Sequence, residues 1–413
     1  MRRVVITGMG AVSSCGLSPQ SLWETALAGK HGFSEIEEAF ELGDFPVRYA
    51  GEIKNWDPVT MGLNKKEARR MDRYTQFASA AANQAVADAG DFAADLDPFR
   101  VGVLMASGVG GFITFEEEHQ KFLEKGPGKV SVFFIPMMLV NMASGRVAMD
   151  HGFKGENYCP VSACAAATNA IGEAFRKIKH GYLDACVAGG SEAAITKFAL
   201  AGFYNMGALA TGDDPAQLSL PFDSRRGGFV MGEGGAALIL EELEHAKKRG
   251  AKIYAEVVGY GTTDDAYHIT GPDPDGTGSA KAMAFALEEG GVTPAQVGYV
   301  NAHGTGTDLN DKIETLAVKT VFGEHAYKLA MSSTKSVTGH MLGAAGAIEA
   351  VICAKALQEG KLPPTAGYGS PDPECDLDYV TDGAREANIT HAISNSLGFG
   401  GHNATLAFAK YLD

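Results

Sequence analysis

An alternation of apolar, strand-like runs with longer helices is the sequence feature that most limits what this chain can fold into. Residues 101–106 form a continuous apolar run, as found in strands that are buried on both faces. Residues 342–357 are apolar on nearly every side, as expected of a helix that is buried all round. Because strands and helices alternate along the whole chain, we predict an α/β fold with a largely parallel sheet.

Both halves of the chain show the succession of strand, turn and buried helix, which indicates a duplicated unit. We predict two intimate domains, residues 1–250 and residues 251–413, in line with a length of 413 residues. Residues 113–145, rich in Phe and Met, are predicted to be irregular. Strands are predicted at residues 3–7, 101–106, 186–190, 236–240, 253–258, 297–302, 329–332 and 405–409. Helices are predicted at residues 19–28, 65–90, 164–179, 241–249, 280–289 and 342–357.

The charge of the chain limits the classes of partner. A net charge of −15 argues against nucleic acid as a general partner, because phosphate binding requires a positive field. Residues 64–73 run against this trend with five cations and two anions. A solvated helix face would explain this segment, and so would a docking patch for an acidic partner.

Cysteine usage and hydropathy indicate the compartment. None of the six cysteines forms a C-x-x-C pair or a zinc-like cluster with histidine, which fits reduced thiols in a cytoplasm. No apolar run approaches the about 18 residues that span a bilayer. The first ten residues resemble a signal peptide superficially, but two glycines interrupt them and no Ala-x-Ala cleavage site follows. We therefore predict a cytoplasmic protein without a metal, a cofactor or a membrane association.

A strand end, a sharp turn and a helix that begins at Cys164 form a chemically suggestive motif. Apolar residues recur at three- and four-residue steps from Ala167 to Ile178, and Gly181 follows as a stop. The N–H groups and the dipole at such a helix start favour a thiolate over a thiol, and the same amides can point at an oxyanion. The three alanines after the cysteine leave room for a ligand, although a buried structural cysteine is the ordinary alternative.

Two histidines in similar strand-to-helix turns stand out in the second half. His303 follows a predicted strand among small residues and hydroxyls, at a position where α/β proteins bind ligands. Lys335 and His340 lie just before the buried helix. Two imidazoles can stabilise an oxyanion or an enolate, or move protons near neutral pH. A lysine nearby keeps an imidazole from protonating.

Two further segments allow more than one interpretation. Residues 395–403, a glycine-rich stretch around Phe399, form either a plain turn or a gate with a backbone donor. Residues 133–138 are rich in Phe and Met. They form either ordinary packing or an apolar lining for a ligand or a partner subunit.

As an ordered set, the motifs make the chain resemble the β-ketoacyl-acyl-carrier-protein synthases, condensing enzymes of the thiolase-fold superfamily. Any one motif alone is a weak signal, whereas the ordered set is specific and spans essentially the whole chain. Residues 133–136 and 140–142 look more like the type II synthases than the type I synthases. The matching motifs are Ser162-Ala163-Cys164, Phe229-Val230-Met231-Gly232-Glu233-Gly234, His303-Gly304-Thr305-Gly306-Thr307, Lys335-Ser336-Val337-Thr338-Gly339-His340 and Gly398-Phe399-Gly400-Gly401.

The resemblance implies a five-layered αβαβα fold, a homodimer and a ping-pong condensation with acyl carrier protein as partner, as in fatty acid elongation. Cys164 would take the acyl chain as a thioester. His303 and His340 would assist the decarboxylation of malonyl carrier protein and stabilise the enolate. The amides of Cys164 and Phe399 would form the oxyanion hole, and Lys335 would set the electrostatics of His303.

The same resemblance implies further contacts with substrate and partner. Phe399 would also be the gate of the pocket. Three cations would meet the acidic carrier protein, which favours the docking patch over the solvated face. The implied pantetheine and substrate contacts are Thr270, Thr305, Thr307 and Gly400, the implied lining or gate of the acyl tunnel is Val109, Phe134 and Phe203, and the docking cations are Lys65, Arg69 and Arg70.

Departures from the family and competing functions complete the sequence interpretation. The family commonly has Thr where His402 stands and an acidic residue where Gly227 stands.

A ketosynthase of a type II polyketide pathway is one alternative function, and a non-catalytic chain-length partner, which typically lacks the cysteine, is another. A degradative thiolase would need a second cysteine near Phe399, and a serine hydrolase would need Gly-x-Ser-x-Gly; neither is present.

Overall fold

A nine-stranded mixed β-sheet forms the frame of the protein, and two buried helices lie against it between its two halves. The structure, a computed structural model, describes residues 1–412. The helices are α1 (Pro19–Leu27), α2 (Lys65–Ala68), α3 (Arg73–Ala89), α4 (Phe112–Lys125), α5 (Phe134–Met138), α6 (Met142–His151), α7 (Ala166–Lys179), α8 (Lys197–Asn205), α9 (Leu243–Lys248), α10 (Thr277–Gly290), α11 (Asp308–Phe322), α12 (Lys335–Thr338) and α13 (Ala345–Glu359). The strands are β1 (Val4–Ser13), β2 (Ser34–Glu35), β3 (Tyr49–Ala50), β4 (Val101–Ala106), β5 (Ala185–Glu192), β6 (Gly234–Glu242), β7 (Ala255–Asp264), β8 (Val297–Asn301), β9 (Ala330–Ser332), β10 (Lys361–Leu362), β11 (Arg385–Glu386), β12 (His391–Gly398) and β13 (His402–Ala409).

The strand order repeats from one half of the sheet to the other. The order is β4-β5-β6-β1-β7-β13-β12-β8-β9, and the halves meet where β1 pairs with β7 over only three residue pairs. Outward from that junction, β1, β6 and β5 are antiparallel neighbours, and β5 is parallel to β4. In the other direction β7, β13 and β12 are antiparallel neighbours, and β12 is parallel to β8. The repetition confirms the predicted α/β fold of two duplicated halves.

The prediction of a largely parallel sheet is wrong. Within residues 1–412, five of the eight neighbouring strand pairs of the large sheet are antiparallel. A parallel neighbour requires a crossover connection, usually a helix, whereas a tight turn forces the chain to reverse. The glycine-rich residues 399–401 are such a turn between β12 and β13. They were not recognised as the centre of a hairpin.

Five layers follow from the helix positions. Helix α7 contacts β4, β5 and β6 of one half and β7 and β13 of the other, and α13 also contacts strands of both halves. These two helices form the middle layer. Helix α3 covers the outer face of the first half, and α10 covers that of the second. Residues 342–357 are all buried, as their apolar composition predicted.

Glycines at two corresponding places allow the outer helices to lie very close to the sheet. Gly8 and Gly10 of β1 lie under carbonyls of α3, and Gly259 and Gly261 of β7 lie in the same way under α10. A Cβ atom at any of these four glycines would lie 1.9–2.2 Å from a helix carbonyl oxygen, so no side chain fits. Because these glycines serve packing and not a turn, β1 continues to Ser13, well beyond the predicted strand at residues 3–7.

Several other predicted elements differ from the structure. Residues 113–145, predicted to be irregular, contain nearly all of α4, all of α5 and the first four residues of α6, and the predicted helix at residues 65–90 is divided into α2 and α3. Asp72 causes the division, because its carboxylate caps α3 by accepting the N–H of Tyr74. Helix α11 and strand β12 were not predicted. The proposed domain division after residue 250 lies between α9 and β7 and stays a prediction. Of the helices in residues 1–412, none has the combined length and apolarity that crossing a membrane requires.

Candidate active site

Segments from both halves of the chain bring Cys164, His303 and His340 into one buried pocket. The Sγ atom of Cys164 lies 3.0 Å from Nε2 of His340. The rings of His303 and His340 are 5.3 Å apart and nearly perpendicular. One sulfur or nitrogen atom from each residue falls within a group spanning 4.8 Å. Reacting groups held at this separation can act on one bound substrate.

The turn before α7 holds the cysteine in a constrained backbone. Ala163 has a φ of 49°, which is unusual for a residue with a side chain, and residues 163–165 form a single 3₁₀ turn that leads into α7. The α-helix therefore begins two residues after Cys164 and not at it. Gly398 faces this turn, and a Cβ there would lie 3.2 Å from the backbone nitrogen of Cys164. The missing side chain allows β12 to lie close to that amide.

The charge state of Cys164 reflects opposing influences. Burial raises the pKa of its thiol, whereas Lys335 and the N–H groups of Phe399 and Cys164 act in the opposite direction. The N–H groups at this turn favour a thiolate, as expected from the sequence, but the free-energy cost of burying the charged sulfur is the larger influence.

Both histidines are neutral in this pocket. Burial lowers the pKa of His303 and of His340 well below the usual value, and the positive charge of Lys335 lowers both further. Two backbone hydrogen bonds hold His340 in place, one at its N–H and one at its carbonyl. Its N–H donates to the carbonyl of Val230 at 2.8 Å, and its carbonyl accepts the N–H of Gly232 at 3.0 Å. The motif around Phe229 therefore positions the imidazole that contacts the cysteine.

A buried ion pair supports His303. Lys335, which is 1% exposed, pairs with Glu349 of α13 and places its Nζ atom 3.4 Å from Nδ1 of His303. An ammonium group can only donate, so Nδ1 of His303 is the acceptor and its proton resides on Nε2. The ammonium charge also opposes a metal cation at Cys164, His303 and His340, although their ligand atoms lie close enough to share one.

The loop that carries His303 is held by a carboxylate from α11. Glu314 accepts the N–H groups of His303 and Gly304, each at 2.8 Å, and the side-chain amide of Asn395 at 3.2 Å. Burial raises the pKa of Glu314 to about 7. Glu314 and Glu349 were not identified from the sequence. An acidic residue in the apolar helix α13 was the available signal for Glu349, because a buried carboxylate requires specific partners. Glu314 had no such signal, because α11 carries five charged residues.

The predicted pantetheine contacts lie on three loop segments, which follow β7, β8 and β12. The hydroxyls of Thr305 and Thr307 are 2.8 Å apart, with Thr305 buried and Thr307 half-buried. Thr270 is half-buried, on a loop that touches the glycine turn, because the N–H of Gly400 donates to the carbonyl of Ile269 at 2.8 Å. Phe399 is half-buried in the same turn. The structure thus places Thr270, Phe399 and Gly400 on neighbouring segments.

The residues predicted to line an acyl tunnel fall into two groups. Val109 and Phe203 pack against an apolar cluster that includes Cys164. The ring of Phe203 is 5.8 Å from that of Phe229, which belongs to the same cluster. Phe134 is not part of this cluster. It lies on α5 with its ring 6.5 Å from that of Phe115, so packing within one chain does not bring it to the cysteine.

The cations predicted to dock a partner lie at the surface. Lys65 and Arg69 are exposed and line a hollow of about 280 Å³ beside Trp56. Neither takes part in an ion pair within residues 1–412. Arg70 is more constrained, because its guanidinium lies 4.9 Å from the ring of Phe133 and 3.6 Å from the carboxylate of Glu67.

The two departures from the expected motifs lie outside the pocket. Nδ1 of His402 is 3.6 Å from the carboxylate of Asp264, across the pairing of β13 with β7. Gly227 is exposed, and a Cβ there would meet no atom within 4 Å. An acidic side chain would fit at Gly227, so its absence removes no packing.

Comparisons with known proteins agree with this geometry. The family model "Beta-ketoacyl synthase, N-terminal domain" matches residues 1–246, and "Beta-ketoacyl synthase, C-terminal domain" matches residues 254–369. The chain is 51% identical to the 3-oxoacyl-[acyl-carrier-protein] synthase 2 of Synechocystis sp. over 411 residues, covering 99% of this chain and 98% of the relative.

Two solved structures are similar over their whole length. A β-ketoacyl synthase from Burkholderia phymatum STM815 has a TM-score of 0.92 and 35% identity, covering 100% of both chains. A type II PKS acyl-carrier protein in complex with its ketosynthase bound to the hexaketide has a TM-score of 0.92 and 34% identity, also with 100% of both chains covered.

Proposed function

Because the chain belongs to the β-ketoacyl synthase family, we propose that it is an acyltransferase of fatty acid elongation. It joins a cysteine-bound acyl chain to malonyl-acyl carrier protein with loss of CO₂, and the product is a 3-oxoacyl-acyl carrier protein. The separation of 3.0 Å between Sγ of Cys164 and Nε2 of His340, with His303 beside them, is the observation that best supports this function.

In the first step, Cys164 becomes acylated. Its sulfur attacks the carbonyl carbon of the acyl-carrier thioester, a new carbon–sulfur bond forms, and the bond to the carrier sulfur breaks. The thiol proton passes through His340, the nearest base, to the departing carrier thiol. The neutral state of His340 suits this relay, because an already protonated imidazole could not accept the proton.

The oxyanion formed during acyl transfer requires donors. The backbone N–H groups of Cys164 and Phe399 are suited to this role, since both stabilise negative charge at the cysteine sulfur. Gly398 contributes by leaving space beside the amide of Cys164. Phe399, half-buried in a turn of glycines with positive φ, serves as the gate.

In the second step, malonyl carrier protein supplies the nucleophile. The bond between its methylene carbon and its carboxylate breaks, CO₂ leaves, and the electron pair forms an enolate. The Nε2 proton of His303 stabilises the enolate oxygen, and His340 does so in the tautomer that carries its proton on Nε2. The enolate carbon then attacks the thioester, the Cys164 sulfur leaves, and it regains a proton from solvent by way of His340.

Carrier protein is the partner that the surface favours. Lys65, Arg69 and Arg70 provide positive charge on a chain whose net charge is −15, and an acidic partner would be steered to them. Thr270, Thr305, Thr307 and Gly400 would contact the pantetheine arm, and the hydrogen bond between the turn of Gly400 and the loop of Thr270 supports this assignment. The double variant Lys65→Glu with Arg69→Glu reverses two of these charges. It is expected to raise KM for carrier-bound substrate and to leave acylation by small thioesters nearly intact.

A homodimer and a cytoplasmic location complete the proposal. Apolar side chains of the α4–α5 region are exposed, and a second copy of the chain would cover them. They include Phe115, Phe122, Leu123, Phe133, Ile135 and Leu139. Phe134 would reach an acyl pocket only across such an interface. All six cysteines are free thiols, which agrees with a reducing compartment.

Mass spectrometry of the acylated protein tests the main proposal. After incubation with acyl carrier substrate, the acyl mass is expected on Cys164, and addition of malonyl carrier protein should remove it and yield a 3-oxoacyl product. Cys159 provides an internal control, because it is a half-buried free thiol outside the pocket. Full activity with an unmodified Cys164 would refute the proposal.

A ketosynthase of a type II polyketide pathway is the second candidate function. The 34% identity to a ketosynthase bound to a hexaketide favours it, while the 51% identity to a 3-oxoacyl synthase favours fatty acid elongation. Purified enzyme given malonyl carrier protein and no reductase distinguishes them. A single extension is expected for elongation, and several successive extensions with retained keto groups would establish the polyketide role. The non-catalytic partner is disfavoured because Cys164 is retained.

A further inference from the structure

Glu192, at the end of β5, is a buried carboxylate beside the pocket, and the mechanism above gives it no role. Its side chain is 0% exposed. It accepts four hydrogen bonds: from the hydroxyl of Ser107 at 2.8 Å and from the N–H groups of Gly108 at 2.7 Å, Val109 at 3.2 Å and Gly343 at 2.9 Å. Buried carboxylates with so many donors hold their neighbours in one arrangement.

The two segments that Glu192 joins border different parts of the pocket. Residues 107–109 follow β4, and their last residue, Val109, packs against the apolar cluster around Cys164. Gly343 lies three residues after His340, and Leu342 between them belongs to the same cluster. Glu192 therefore connects the wall of the proposed acyl pocket to the segment that carries His340.

Close packing makes this connection stiff. A Cβ at Gly343 would lie 2.2 Å from the backbone nitrogen of Gly108, and a Cβ at Gly108 would lie 2.8 Å from Oε2 of Glu192. Both glycines let their segments meet at the carboxylate. The hydroxyl of Ser107 also accepts the N–H of Gly110 at 3.0 Å, so the whole turn after β4 is tied to the same place.

Only a group that accepts hydrogen bonds fits at the position of the Glu192 carboxylate. Both oxygens of Glu192 face donors, with Ser107 and Val109 on Oε1, and Gly108 and Gly343 on Oε2. A glutamine amide would direct its own N–H₂ group at one of these pairs of donors, so hydrogen bonds would be lost at constant side-chain size. Glu192→Gln is therefore a conservative way to loosen the connection.

We propose that Glu192 is a positioning residue that couples the acyl-pocket wall at Val109 to His340, so that the fit of the acyl chain sets the rate of the carbon–carbon bond-forming step. This inference rests on the proposed function. An acyl chain that presses on Val109 displaces the carboxylate, and the displacement is passed through Gly343 to His340. The ring of His340 lies 3.0 Å from the sulfur, where a displacement of about 1 Å can change a rate by about a hundredfold.

The test compares Glu192→Gln with Glu241→Gln as a matched control. Glu241 is equally buried and accepts bonds from Thr7 and Arg249, but it lies on β6 away from the pocket. For each variant, acylation of Cys164 and condensation with malonyl carrier protein are measured separately over a series of acyl chain lengths, together with thermal unfolding.

Glu192→Gln is expected to lower kcat of condensation by about ten- to a hundredfold, with a smaller effect on acylation, and to flatten its dependence on acyl chain length. Glu241→Gln is expected to lower Tm alone. Ser107→Ala, which removes one donor, should change condensation in the same direction as Glu192→Gln but by less, and it decides the matter if Glu192→Gln does not fold.

Two negative results have different meanings. If the wild-type enzyme fails to condense, the proposed function is wrong. If the wild-type enzyme condenses, and Glu192→Gln and Ser107→Ala keep its chain-length profile and its ratio of condensation to acylation, the coupling by Glu192 is wrong.

Discussion

The turns that precede α7 and α13 have similar backbone angles and different contents. Ala163 and Leu342 adopt positive φ angles of 49° and 44°, and each begins a single 3₁₀ turn that leads into a buried helix. The next residue is Cys164 in one turn and Gly343 in the other. The repeated strand order places these turns at corresponding points of the two halves.

The two turns differ in the group that contacts the backbone N–H of their second residue. The N–H of Gly343 donates to Glu192 within the protein. The N–H of Cys164 donates to no backbone carbonyl or side chain of residues 1–412, and Gly398, which has no side chain, does not cover it. One copy of the turn is thus filled by an internal carboxylate and braces the fold, and the other is left open for a substrate carbonyl. Duplication supplied two equivalent helix starts, and only the unfilled one can serve acyl transfer.

Removing the sulfur should produce the largest effect. Cys164→Ala is expected to lower condensation by at least about a thousandfold, because the covalent intermediate can no longer form. Its free energy of unfolding should fall by only about 1 kcal/mol, since a small buried group is lost. Steady-state assays and denaturant unfolding check the two expectations. Substantial remaining condensation would mean that the open turn is not the reactive one.

Closing the open turn should have the next largest effect. Gly398→Ala places a Cβ 2.8 Å from the carbonyl oxygen of Ser162 and 3.2 Å from the nitrogen of Cys164. Acylation is expected to slow by about a hundredfold, as when an oxyanion donor is lost. Stopped-flow measurement of acylation is the check. Unchanged acylation would show that the space beside this amide is not used.

Adding a methyl group to the filled turn should affect folding. Gly343→Ala puts a Cβ 2.2 Å from the nitrogen of Gly108, and overpacking of this kind costs about 1–3 kcal/mol. Urea unfolding measures the loss. The control is Gly145→Ala in α6, where a Cβ meets no atom within 4 Å and helix propensity favours alanine by about 1 kcal/mol. Equal stability of the two variants would contradict a bracing role for the second turn.

The smallest predicted effect is a displacement of the pH profile. Lys335 lowers the pKa of His303 and His340, so Lys335→Met should raise both. The imidazoles then begin to protonate at a higher pH during acidification, and the acid limb of kcat/KM for malonyl carrier protein moves upward. Lys319→Met, at the surface ion pair with Asp376, is the control. An unchanged acid limb would mean that the charge of Lys335 does not set the pKa of the two histidines.

The reactive groups could be predicted from sequence because each stands in a local pattern. Cys164, His303, Lys335 and His340 lie in short motifs of recognisable composition, and their order along the chain identified the family. The strand predicted before Cys164 is wrong, because residues 152–162, between α6 and the turn, form no strand. The supporting carboxylates could not be found in this way. Glu192 and Glu314 are defined by donors 151 and 10 residues away in the chain, and spacing alone reveals neither.

The errors in the predicted fold have equally local causes. Helices α4 and α5 carry several exposed apolar side chains, such as Phe122 and Leu123, so an apolar buried face was not evident. The predicted first strand stopped at residue 7, before the glycines of β1, because close packing against α3 leaves no mark in one sequence. Strand direction also depends on whether a connection is a crossover or a hairpin. Because β12 was not predicted, residues 399–401 had no preceding strand to join to β13.

The paired glycines under α3 and α10 have an evolutionary consequence. At Gly8, Gly10, Gly259 and Gly261, even one methyl group would collide with a helix carbonyl. Close packing alone therefore prevents substitution of these four glycines, and it does so independently in each half of the chain. Sequence similarity between the two halves that dates from before the duplication should therefore be better preserved under α3 and α10 than around the active site.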